Sequence, residues 1–397
     1  MRIAYLSAAA IPSQAANSIQ VMKMCEAMAE TGHDVTLLAP SGWGWGQRCE
    51  GIDSVWHHYG VAPKFTIRWL PARGGALASY TYGLLAALYC RLVARPDLVY
   101  ARHLPGALMV TALKGRAVFE LHDVPSAFGR AGSTLFELLL RQKCLDQLVV
   151  ISQRLREFLL SAWPQLLVRD QVRVAPDGVD LARHSRLPGP SVARARLGLN
   201  QGWAMMVGYV GNLYPGRGTE LVIELARRFP EVRFVVIGGS ANEVRSFETQ
   251  VKRLRVENMS FLGFVAHGEV PLHLAACDIL VMPYQRQVSV VGGSGNTVQW
   301  MSPLKMFEYM AAERPIVASD LPSLREVLND GNAVLIDPED VDAWSLALQA
   351  LIADPEYRQR LAARARHDVE SYTWAVRVDR CLGPGPTLRG SHESTEF

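Results

Sequence analysis

Two short segments of the chain combine backbone and side-chain features that suit the recognition of a diphosphate. The first is Tyr209-Val-Gly-Asn-Leu-Tyr-Pro-Gly-Arg-Gly-Thr219, which we expect to leave a strand and enter a helix. Glycines let a backbone approach a ligand closely, and a helix N-terminus presents free N–H groups and the positive end of the helix dipole. Arg217 precedes this helix, where its guanidinium could pair with a phosphate. Taken alone, the segment is explained equally well as an ordinary strand–helix turn.

The spacing of these glycines disfavours two common nucleotide-binding classes. A Walker loop requires Gly-x4-Gly-Lys-Ser/Thr, and a standard Rossmann dehydrogenase carries Gly-x-Gly-x-x-Gly. Neither pattern occurs in residues 209–219. A P-loop NTPase and a standard dinucleotide-binding dehydrogenase are therefore poor interpretations of this chain.

The second segment, Ser302-Pro-Leu-Lys-Met-Phe-Glu-Tyr-Met-Ala-Ala312, is typical of a helix start. We expect Ser302 to be the N-cap and Pro303 the first helical residue. Backbone N–H groups at this helix start could hold an anionic diphosphate, with Lys305 adding positive charge. Glu308 could accept hydrogen bonds from ribose hydroxyls. Taken alone, Lys305 and Glu308 could equally be an i, i+3 pair on the helix surface.

The first half of the chain is expected to form a parallel α/β sheet. Residues 2–7 and 34–39 have the composition of buried strands. Residues 18–31 between them carry apolar residues at helical spacing, with Ser18 as the expected N-cap. A strand–helix–strand unit of this length favours a parallel sheet. The pattern continues with predicted strands at 97–101, 117–121, 147–151 and 172–175 and predicted helices at 77–93, 104–114 and 132–144.

The α/β pattern starts again in the second half of the chain. Asp, Gly and Pro cluster in residues 176–190, so we place a domain boundary at 188. Because α/β sheets bind ligands at the carboxyl ends of their strands, two such units predict a ligand cleft. The predicted strands lie at 204–210, 233–238, 260–263, 279–283, 315–319 and 333–336, and the predicted helices at 219–229, 244–255, 269–276, 303–312 and 340–353.

Composition and charge narrow the function further. The chain has 397 residues, of which 49% are hydrophobic and 20% charged, as in an ordinary globular protein of two domains. The net charge of +3 gives no support for nucleic-acid binding. Residues 1–190 carry 20 basic and 14 acidic side chains, whereas the rest carry 21 and 24. This asymmetry is either chance or a basic face that meets an anionic acceptor or a membrane surface.

The sequence lacks the marks of a membrane-spanning, secreted or metal-binding protein. It contains no apolar span of membrane length and no signal-peptide core near its start. Its six cysteines are scattered without a Cys-x-x-Cys pair, which suits a reducing cytoplasm. Asp340-Val-Asp342 has the form of a metal-binding D-x-D motif, but it opens a predicted helix, where acidic residues are favoured by the dipole. We therefore expect a cytoplasmic protein without a metal site.

Taken together, these motifs resemble the retaining family 4 glycosyltransferases of the GT-B fold. The order and spacing of the motifs are specific in combination, and the resemblance spans residues 1–381. It implies two Rossmann-like domains facing across a cleft, with an acceptor domain at 1–188 and a donor domain at 189–370. It also implies a helix at 371–382 that crosses back to the first domain. The tail at 383–397 is rich in Gly, Pro, Ser and Glu with little apolar content, so we expect it to be disordered. The other matching segments are Ile11-Pro-Ser-Gln-Ala-Ala-Asn-Ser18, Val174-Ala-Pro-Asp-Gly-Val-Asp180, Phe261-Leu-Gly-Phe-Val265, Pro315-Ile-Val-Ala-Ser-Asp-Leu-Pro-Ser-Leu-Arg-Glu-Val327 and Tyr372-Thr-Trp374.

The resemblance implies that the second domain binds a UDP-sugar or a GDP-sugar as co-substrate, with no other cofactor. Arg217 takes the place of a basic residue that meets the diphosphate, and residues 302–305 would bind it through backbone N–H groups. Glu308 matches the second Glu of the family's E-x7-E motif and would bind the ribose. Phe264 and Val265 would flank the base. The implied donor-binding residues are Gly211, Asn212, Arg217, Phe264, Val265, Ser302, Pro303, Leu304, Lys305 and Glu308.

The resemblance also implies a catalytic group in the first domain. His122, in Glu120-Leu-His-Asp-Val124, matches a histidine near the sugar donor, although a structural histidine after a strand is the alternative. Catalysis would be electrostatic, because Arg217, Lys305 and helix N-termini would stabilise the departing nucleoside diphosphate without a metal. Retention of configuration follows from the resemblance, with front-face attack by the acceptor as the expected route.

Two positions depart from the family pattern. Trp300 stands where the first Glu of E-x7-E is expected, which puts the usual contact to the sugar hydroxyls in doubt. Asn212 stands where many members place a diphosphate-binding Arg. Two alternatives stay open: a catalytically inactive protein that binds a nucleotide sugar, and an epimerase or phosphorylase that shares the fold.

The acceptor is expected to be a hydroxyl of a glycan, a lipid-linked sugar or a small molecule. The first domain would bind it, and the candidate contacts are Ala16, Asn17, Ser18 and Tyr80. The apolar helix at 77–93, with Arg91 and Arg95 near its end, could instead rest on a membrane. Peripheral contact with the inner face of the membrane is therefore a further expectation.

Overall fold

The computed structural model describes residues 1–41, 54–72, 77–129, 131–199, 202–288 and 296–383, and these form two compact units. The first unit comprises Met1–Pro176 and the chain from Trp374 onward, and the second comprises Asp177–Thr373. The chain therefore passes between the units twice, after Pro176 and after Thr373. The predicted tail at 383–397 lies outside the described residues, apart from Gly383.

The first unit is built on a parallel sheet. Its strands are β1 (Arg2–Leu6), β2 (Asp34–Ser41), β3 (Thr66–Pro71), β4 (Leu98–Ala101), β5 (Ala117–Leu121), β6 (Leu145–Val150) and β7 (Val172–Val174). They are ordered β3-β2-β1-β4-β5-β6-β7, and every pairing is parallel. Strands β4 and β5 are buried along their whole length, as expected for sheets that are covered by helices on both faces.

The helices that cover this sheet follow the predicted pattern with shifted bounds. They are α1 (Ala16–Glu30), α2 (Val55–Tyr59), α3 (Ala78–Tyr89), α4 (Leu104–Ala112), α5 (Gly132–Leu140) and α6 (Gln153–Ala162), and α3 continues into a π-helical turn at Cys90–Ala94. The prediction that Ser18 caps α1 is wrong. The helix starts two residues earlier, and the Ser18 hydroxyl donates back to the carbonyl of Ala15 at 2.8 Å, inside the first turn.

The second unit repeats the architecture. Its strands are β8 (Met206–Val210), β9 (Arg233–Ile237), β10 (Met259–Gly263), β11 (Ile279–Met282), β12 (Ile316–Ser319) and β13 (Val334–Ile336), ordered β10-β9-β8-β11-β12-β13 and parallel throughout. Its helices are α7 (Leu181–His184), α8 (Pro190–Leu197), α9 (Thr219–Arg228), α10 (Ala241–Arg253), α11 (Val270–Ala276), α12 (Leu304–Ala311), α13 (Val341–Ala353) and α14 (Pro355–Asp368). A last helix, α15 (Trp374–Leu382), belongs to the first unit.

Alternate residues of each strand in the second unit enter two separate apolar cores. Met206 and Leu280 lie in one core, whereas their neighbours Val207 and Val281 lie in the other. Both faces of the sheet are therefore buried, which is why its strands read as continuous apolar runs in the sequence. In both units the strand order reverses, between β1 and β4 and between β8 and β11. Both units are Rossmann-like, as predicted, and such a reversal is where α/β sheets bind ligands.

The boundary between the units lies earlier than the predicted residue 188. Val179 is buried in the second unit, and its N–H donates to the carbonyl of Tyr372 at 2.9 Å. Leu181 and Leu187 pack against the same core. Residues 177–188 thus belong to the second unit because their apolar side chains are buried there, although their composition resembles a linker. Similarly, residues 371–373 stay with the second unit, and the crossing helix begins at Trp374.

Candidate functional site

The glycine-bearing loop leaves the carboxyl end of β8 at the strand-order reversal of the second unit. Gly211 has a φ of 144°, and a Cβ at this position would lie 2.8 Å from Lys305 Nζ. Gly218, with a φ of 83°, precedes α9, and a Cβ there would collide with the carbonyl oxygen of Pro283. Both positions therefore require glycine: the first keeps space beside an amine, and the second lets α9 begin against the loop after β11.

Lys305 supplies a buried cation beside this loop. Its Nζ lies 4.0 Å from the centroid of the Tyr209 ring and 4.8 Å from that of Tyr284. The residue is only 8% exposed, and no described residue accepts a hydrogen bond from its amine. Burial and the neighbouring Arg217 hold the pKa of Lys305 well below its usual range, while Glu308 acts in the opposite direction. An amine in this environment lacks the anion that would stabilise its charge.

Arg217 is the second cation at this place. Its Nη1 donates to the hydroxyl of Tyr284 at 3.0 Å, and its Cζ lies 5.2 Å from the centroid of that ring. Its Nε is buried and has no hydrogen-bond partner in the described part of the chain. Tyr284 thus contacts both Arg217 and Lys305, so two cations that are 88 positions apart in the sequence gather at one site. Two like charges at one buried place are unfavourable without an intervening anion.

The start of α12 differs from the prediction. The helix begins at Leu304, and Pro303 precedes it in an extended conformation. Ser302 does not cap the helix, because its hydroxyl accepts a hydrogen bond from the backbone N–H of Asp177 at 3.0 Å. Proline has no N–H, so the first donors of the helix are the N–H groups of Leu304 and Lys305, which lack partners within the helix.

Glu308 faces histidines rather than Lys305. His267 Nε2 lies 2.8 Å from Glu308 Oε1, and these side chains are 18% and 12% exposed. The interpretation of Lys305 and Glu308 as a surface pair is therefore wrong. His184 lies close enough to interact electrostatically with both Glu308 and His267. Among the described residues, Nδ1 of His267 and Nε2 of His184 have no hydrogen-bond partner. Sequence reasoning missed both histidines, which occur in no motif.

The remaining predicted donor contacts follow β10 and β8, the two strands that flank β9 in the sheet. Phe264 follows β10 and is 42% exposed, whereas Val265 packs partly against the core. The carbonyl of Asn212 accepts a hydrogen bond from the Tyr209 hydroxyl at 2.7 Å, which ties the loop to β8. Trp300 follows a short 3₁₀ turn at Thr297–Gln299. The glycines at 292–295 lie outside the described residues.

His122 lies just beyond the end of β5 in the first unit. Its side chain is 25% exposed, and its Nε2 contacts a carboxylate oxygen of Glu120. Glu120 is completely buried and also contacts Arg377 of α15 at 2.8 Å. Sequence reasoning singled out His122 but neither of its buried neighbours, and no local pattern connects Glu120 with a residue 257 positions away.

The four candidate acceptor residues fall into different environments. Ala16 and Asn17 are exposed in the first turn of α1. Ser18 is completely buried, and its hydroxyl bonds to Ser13 and Ala15, so the prediction that it contacts an acceptor is wrong. Tyr80 is 37% exposed on α3.

Two family models together match most of the chain. Residues 18–183 match the model described as Glycosyltransferase Family 4, and residues 200–368 match the model described as Glycosyl transferases group 1. The chain belongs to the family 4 glycosyltransferases. The two matches correspond closely to the two Rossmann-like units, and with them this family 4 glycosyltransferase has the GT-B fold.

Named relatives and solved structures agree with this assignment. The D-inositol 3-phosphate glycosyltransferase of Kineococcus radiotolerans is 27% identical over 53% of this chain and 51% of its own length. The phosphatidyl-myo-inositol mannosyltransferase of Mycolicibacterium smegmatis is 24% identical over 94% of this chain and 90% of its own length. The crystal structure of Anabaena Alr3699/HepE in complex with UDP and glucose superimposes with a TM-score of 0.73 at 17% identity, covering 96% and 97% of the chains. The chain spans about half the length of the first curated relatives it matches.

Membrane-spanning helices and metal-binding clusters are both absent from the described ranges. None of the helices there combines the length and the apolar character needed to cross a membrane. The same residues contain no group of three or more His, Cys, Asp or Glu side chains placed to hold a metal ion.

Proposed function

We propose that this glycosyltransferase moves a hexose from a nucleoside diphosphate sugar to a hydroxyl acceptor. The observation that carries the proposal is the buried Lys305 amine, which lies beside Arg217 and lacks a hydrogen-bond partner among the described residues. A diphosphate would supply the missing anion for both cations. The donors that we propose are a UDP-sugar or a GDP-sugar.

The proposed donor site follows the carboxyl ends of β8 and β10 and the start of α12. Arg217, Lys305 and the first N–H groups of α12 bind the diphosphate, with Gly211 providing space. Glu308, held by His267, accepts hydrogen bonds from the ribose hydroxyls. Phe264 offers an exposed aromatic face for the base.

The proposed reaction needs charge stabilisation more than a nucleophile. The bond between the anomeric carbon and the diphosphate oxygen breaks, the acceptor oxygen bonds to that carbon, and His122 takes up the proton that the acceptor hydroxyl loses. Arg217 and Lys305 stabilise the negative charge on the departing diphosphate, so we propose a reaction without a metal. His122 acts near the anomeric carbon, and the configuration is retained by front-face attack. Ala16, Asn17 and Tyr80 are the proposed contacts to the acceptor.

Variants of Glu308 and Arg217 test the donor site. Glu308→Ala is expected to abolish measurable binding of UDP or GDP in calorimetry while the protein stays folded. Glu269→Ala, at an exposed glutamate, is the control and should bind normally. Arg217→Ala should lower nucleotide affinity or turnover at least about tenfold, or about 1.4 kcal/mol. Normal nucleotide affinity in a folded Glu308→Ala protein would refute the assignment.

Turnover separates an enzyme from an inactive binding protein. Release of UDP from UDP-glucose, or of GDP from GDP-mannose, is expected to be accelerated by an acceptor such as an inositol phosphate, which the names of relatives suggest. A protein that binds the nucleotide tightly but never releases it from either sugar conjugate would be the inactive alternative.

We also propose that the protein contacts the inner face of a membrane through α3 and the π-helical turn after it. Small residues of this part of the chain, such as Ala86 and Ala87, are buried. No acidic residue occurs between Leu77 and Arg95. Large side chains point outward instead, together with Arg91 and Arg95. A basic and apolar surface of this kind suits anionic lipids. The outward residues, here called the α3 surface, are Leu77, Tyr80, Leu84, Leu85, Leu88, Leu92 and Val93.

Vesicle flotation tests the α3 surface. The wild type is expected to bind vesicles of phosphatidylglycerol and phosphatidylcholine more tightly than vesicles of phosphatidylcholine alone, and salt should weaken binding. Leu84→Ser, Leu88→Ser and Leu92→Ser combined should reduce binding at least about tenfold, since each buried leucine is worth about 1.5–3 kcal/mol. Leu346→Ser, at an exposed leucine of α13, is the control. The proposal would be contradicted if the triple variant floated as well as the wild type. It would also be contradicted if the wild type were a dimer and the triple variant a monomer, because the α3 surface would then be a dimer interface.

A further inference from the structure

A buried carboxylate at the end of β5 joins several polar side chains of the first unit. Glu120 Oε1 lies 2.8 Å from Arg377 Nη2, 3.1 Å from Gln20 Nε2 and 3.8 Å from Arg102 Nε. The hydroxyl of Tyr100 donates to Oε2, and Nε2 of His122 contacts Oε1. The Glu120 side chain has no exposed surface.

The Glu120 carboxylate is ionised in this environment. Burial alone would raise the pKa of Glu120, but Arg377, His122 and Arg102 together hold it well below its usual range. An ionised carboxylate accepts hydrogen bonds and cannot donate them. The contact with Nε2 of His122 therefore requires the proton to be on Nε2. In the neutral ring the Nδ1 atom is then the acceptor, which is the state that a histidine needs to take a proton from a hydroxyl.

Arg377 connects this carboxylate with the two points where the chain passes between its units. Its Nε donates to the carbonyl of Pro176 at 3.0 Å, and Pro176 is the last residue before the first crossing. Trp374, one helical turn before Arg377, is the first residue after the second crossing. The guanidinium is completely buried, so its donors are committed to these protein groups. One side chain thus contacts both Glu120 and the end of the first crossing segment, and the helix that carries it begins at the second crossing.

We propose that Glu120 and Arg377 are positioning residues that fix the tautomer and orientation of His122 and couple them to the two crossing segments. This inference rests on the proposed role of His122 in sugar transfer. Neither residue touches the substrate in this scheme: Glu120 selects the proton position on the ring, and Arg377 keeps Glu120 ionised and aligned. A carboxylate that orients a histidine in this way has large effects on turnover when it is replaced by an amide.

Glu120→Gln tests the first part, because the amide lacks the negative charge that holds the proton of His122 on Nε2, although its carbonyl oxygen can still accept from Arg377 and Gln20. We expect kcat for UDP release from UDP-glucose, or for GDP release from GDP-mannose, to fall at least tenfold with a donor KM within threefold of wild type. The ¹⁵N shifts of the His122 ring in the unliganded protein should move from an Nε2–H pattern towards a mixture of the Nε2–H and Nδ1–H forms. Arg377→Met should lower kcat similarly, and Arg377→Lys, which keeps the charge, should restore part of it.

The matched control is Glu26→Gln. Glu26 is also a buried glutamate of the first unit, and it pairs with Lys23 at 3.3 Å and with the N–H of Ala62 at 2.6 Å. Its amide variant should lose stability but keep kcat and the His122 tautomer. Glu120→Gln that behaves like Glu26→Gln would overturn the inference. If Glu120→Gln does not fold, Glu120→Asp and Arg377→Lys take its place, and unchanged kcat and ¹⁵N shifts in both would overturn it equally.

His122→Ala distinguishes failure of this inference from failure of the proposed role of His122. Loss of activity in His122→Ala with normal activity in Glu120→Gln refutes only the positioning role. Full activity in His122→Ala refutes the catalytic role of the histidine and the inference with it. Loss of activity in both, with the tautomer change in Glu120→Gln, supports the inference.

Discussion

At the scale of single residues, Lys305 links donor binding to protonation. In the free protein, burial and Arg217 lower its pKa, so its amine loses charge at a lower pH than an exposed lysine does. A bound diphosphate would stabilise the charged form and raise that pKa again. Nucleotide binding is therefore expected to take up a proton wherever the pH lies between the two values.

Calorimetry of UDP or GDP binding in two buffers with different ionisation enthalpies measures this proton uptake. Uptake should grow as the pH rises through the lowered pKa of the free protein, and affinity should fall over the same range, by at most tenfold per pH unit. Lys305→Met should abolish both effects, whereas Lys252→Met, at an exposed lysine of α10, should leave them unchanged. Binding without proton uptake between pH 7 and 10 would show that the Lys305 amine does not meet the nucleotide.

At the scale of elements, Gly218 determines how α9 begins. Its φ of 83° is a conformation that costs an L-residue about 1–2 kcal/mol, and the carbonyl of Pro283 occupies the space of a side chain. Gly218→Ala is expected to destabilise the second unit by about 3 kcal/mol or more, as seen in the urea midpoint. Gly198→Ala is the matched control, because Gly198 has a φ of 68° with no atom within 4 Å of an added Cβ. The free energy of unfolding of the control should fall by only about 1–2 kcal/mol. Equal losses in both variants would mean that the loop after β11 moves to make room for the added Cβ.

Most strands of the two sheets could be predicted from the sequence, because buried parallel strands are continuous apolar runs. Phe234-Val-Val-Ile237 is such a run and forms most of β9. The edge strand β3 escaped prediction, because Thr66, Arg68 and Trp69 are exposed and interrupt any apolar pattern. The N-cap predicted at Ser18 failed for a different reason: serine hydroxyls also bond inside the first turn, and the local sequence does not distinguish the two arrangements.

The candidate site was predictable where its residues lie in motifs and unpredictable where distant segments meet. Glycine spacing and helix-start residues pointed to Arg217, Lys305 and Glu308. The neighbours that determine their environment, Tyr284 and His267, lie elsewhere in the sequence and became visible only through the fold. Likewise, the pairing of Glu120 with Arg377 depends on the return of the last helix to the first unit, which no local pattern encodes.

At the scale of the whole molecule, each unit has a sheet and buried core of its own, and the proposed donor residues all lie in the second unit. Each unit is therefore expected to unfold as a separate cooperative transition in differential scanning calorimetry. UDP or GDP at a concentration of 100 Kd should stabilise the second unit by about 2.7 kcal/mol. For a unit of this size, that corresponds to an increase of roughly 5–11 °C in one Tm, with the other Tm unchanged.

Two variants assign each transition to a unit, since each variant changes the buried core of one unit only. Leu148→Ala, in the buried β6, should lower the Tm that the nucleotide does not move, and Leu280→Ala, in the buried β11, should lower the other. Lys305→Met should prevent the nucleotide shift without merging the transitions, and it should raise the Tm of the second unit because the buried cation is removed. A single transition that nucleotide shifts as a whole would contradict the prediction that the two units unfold separately.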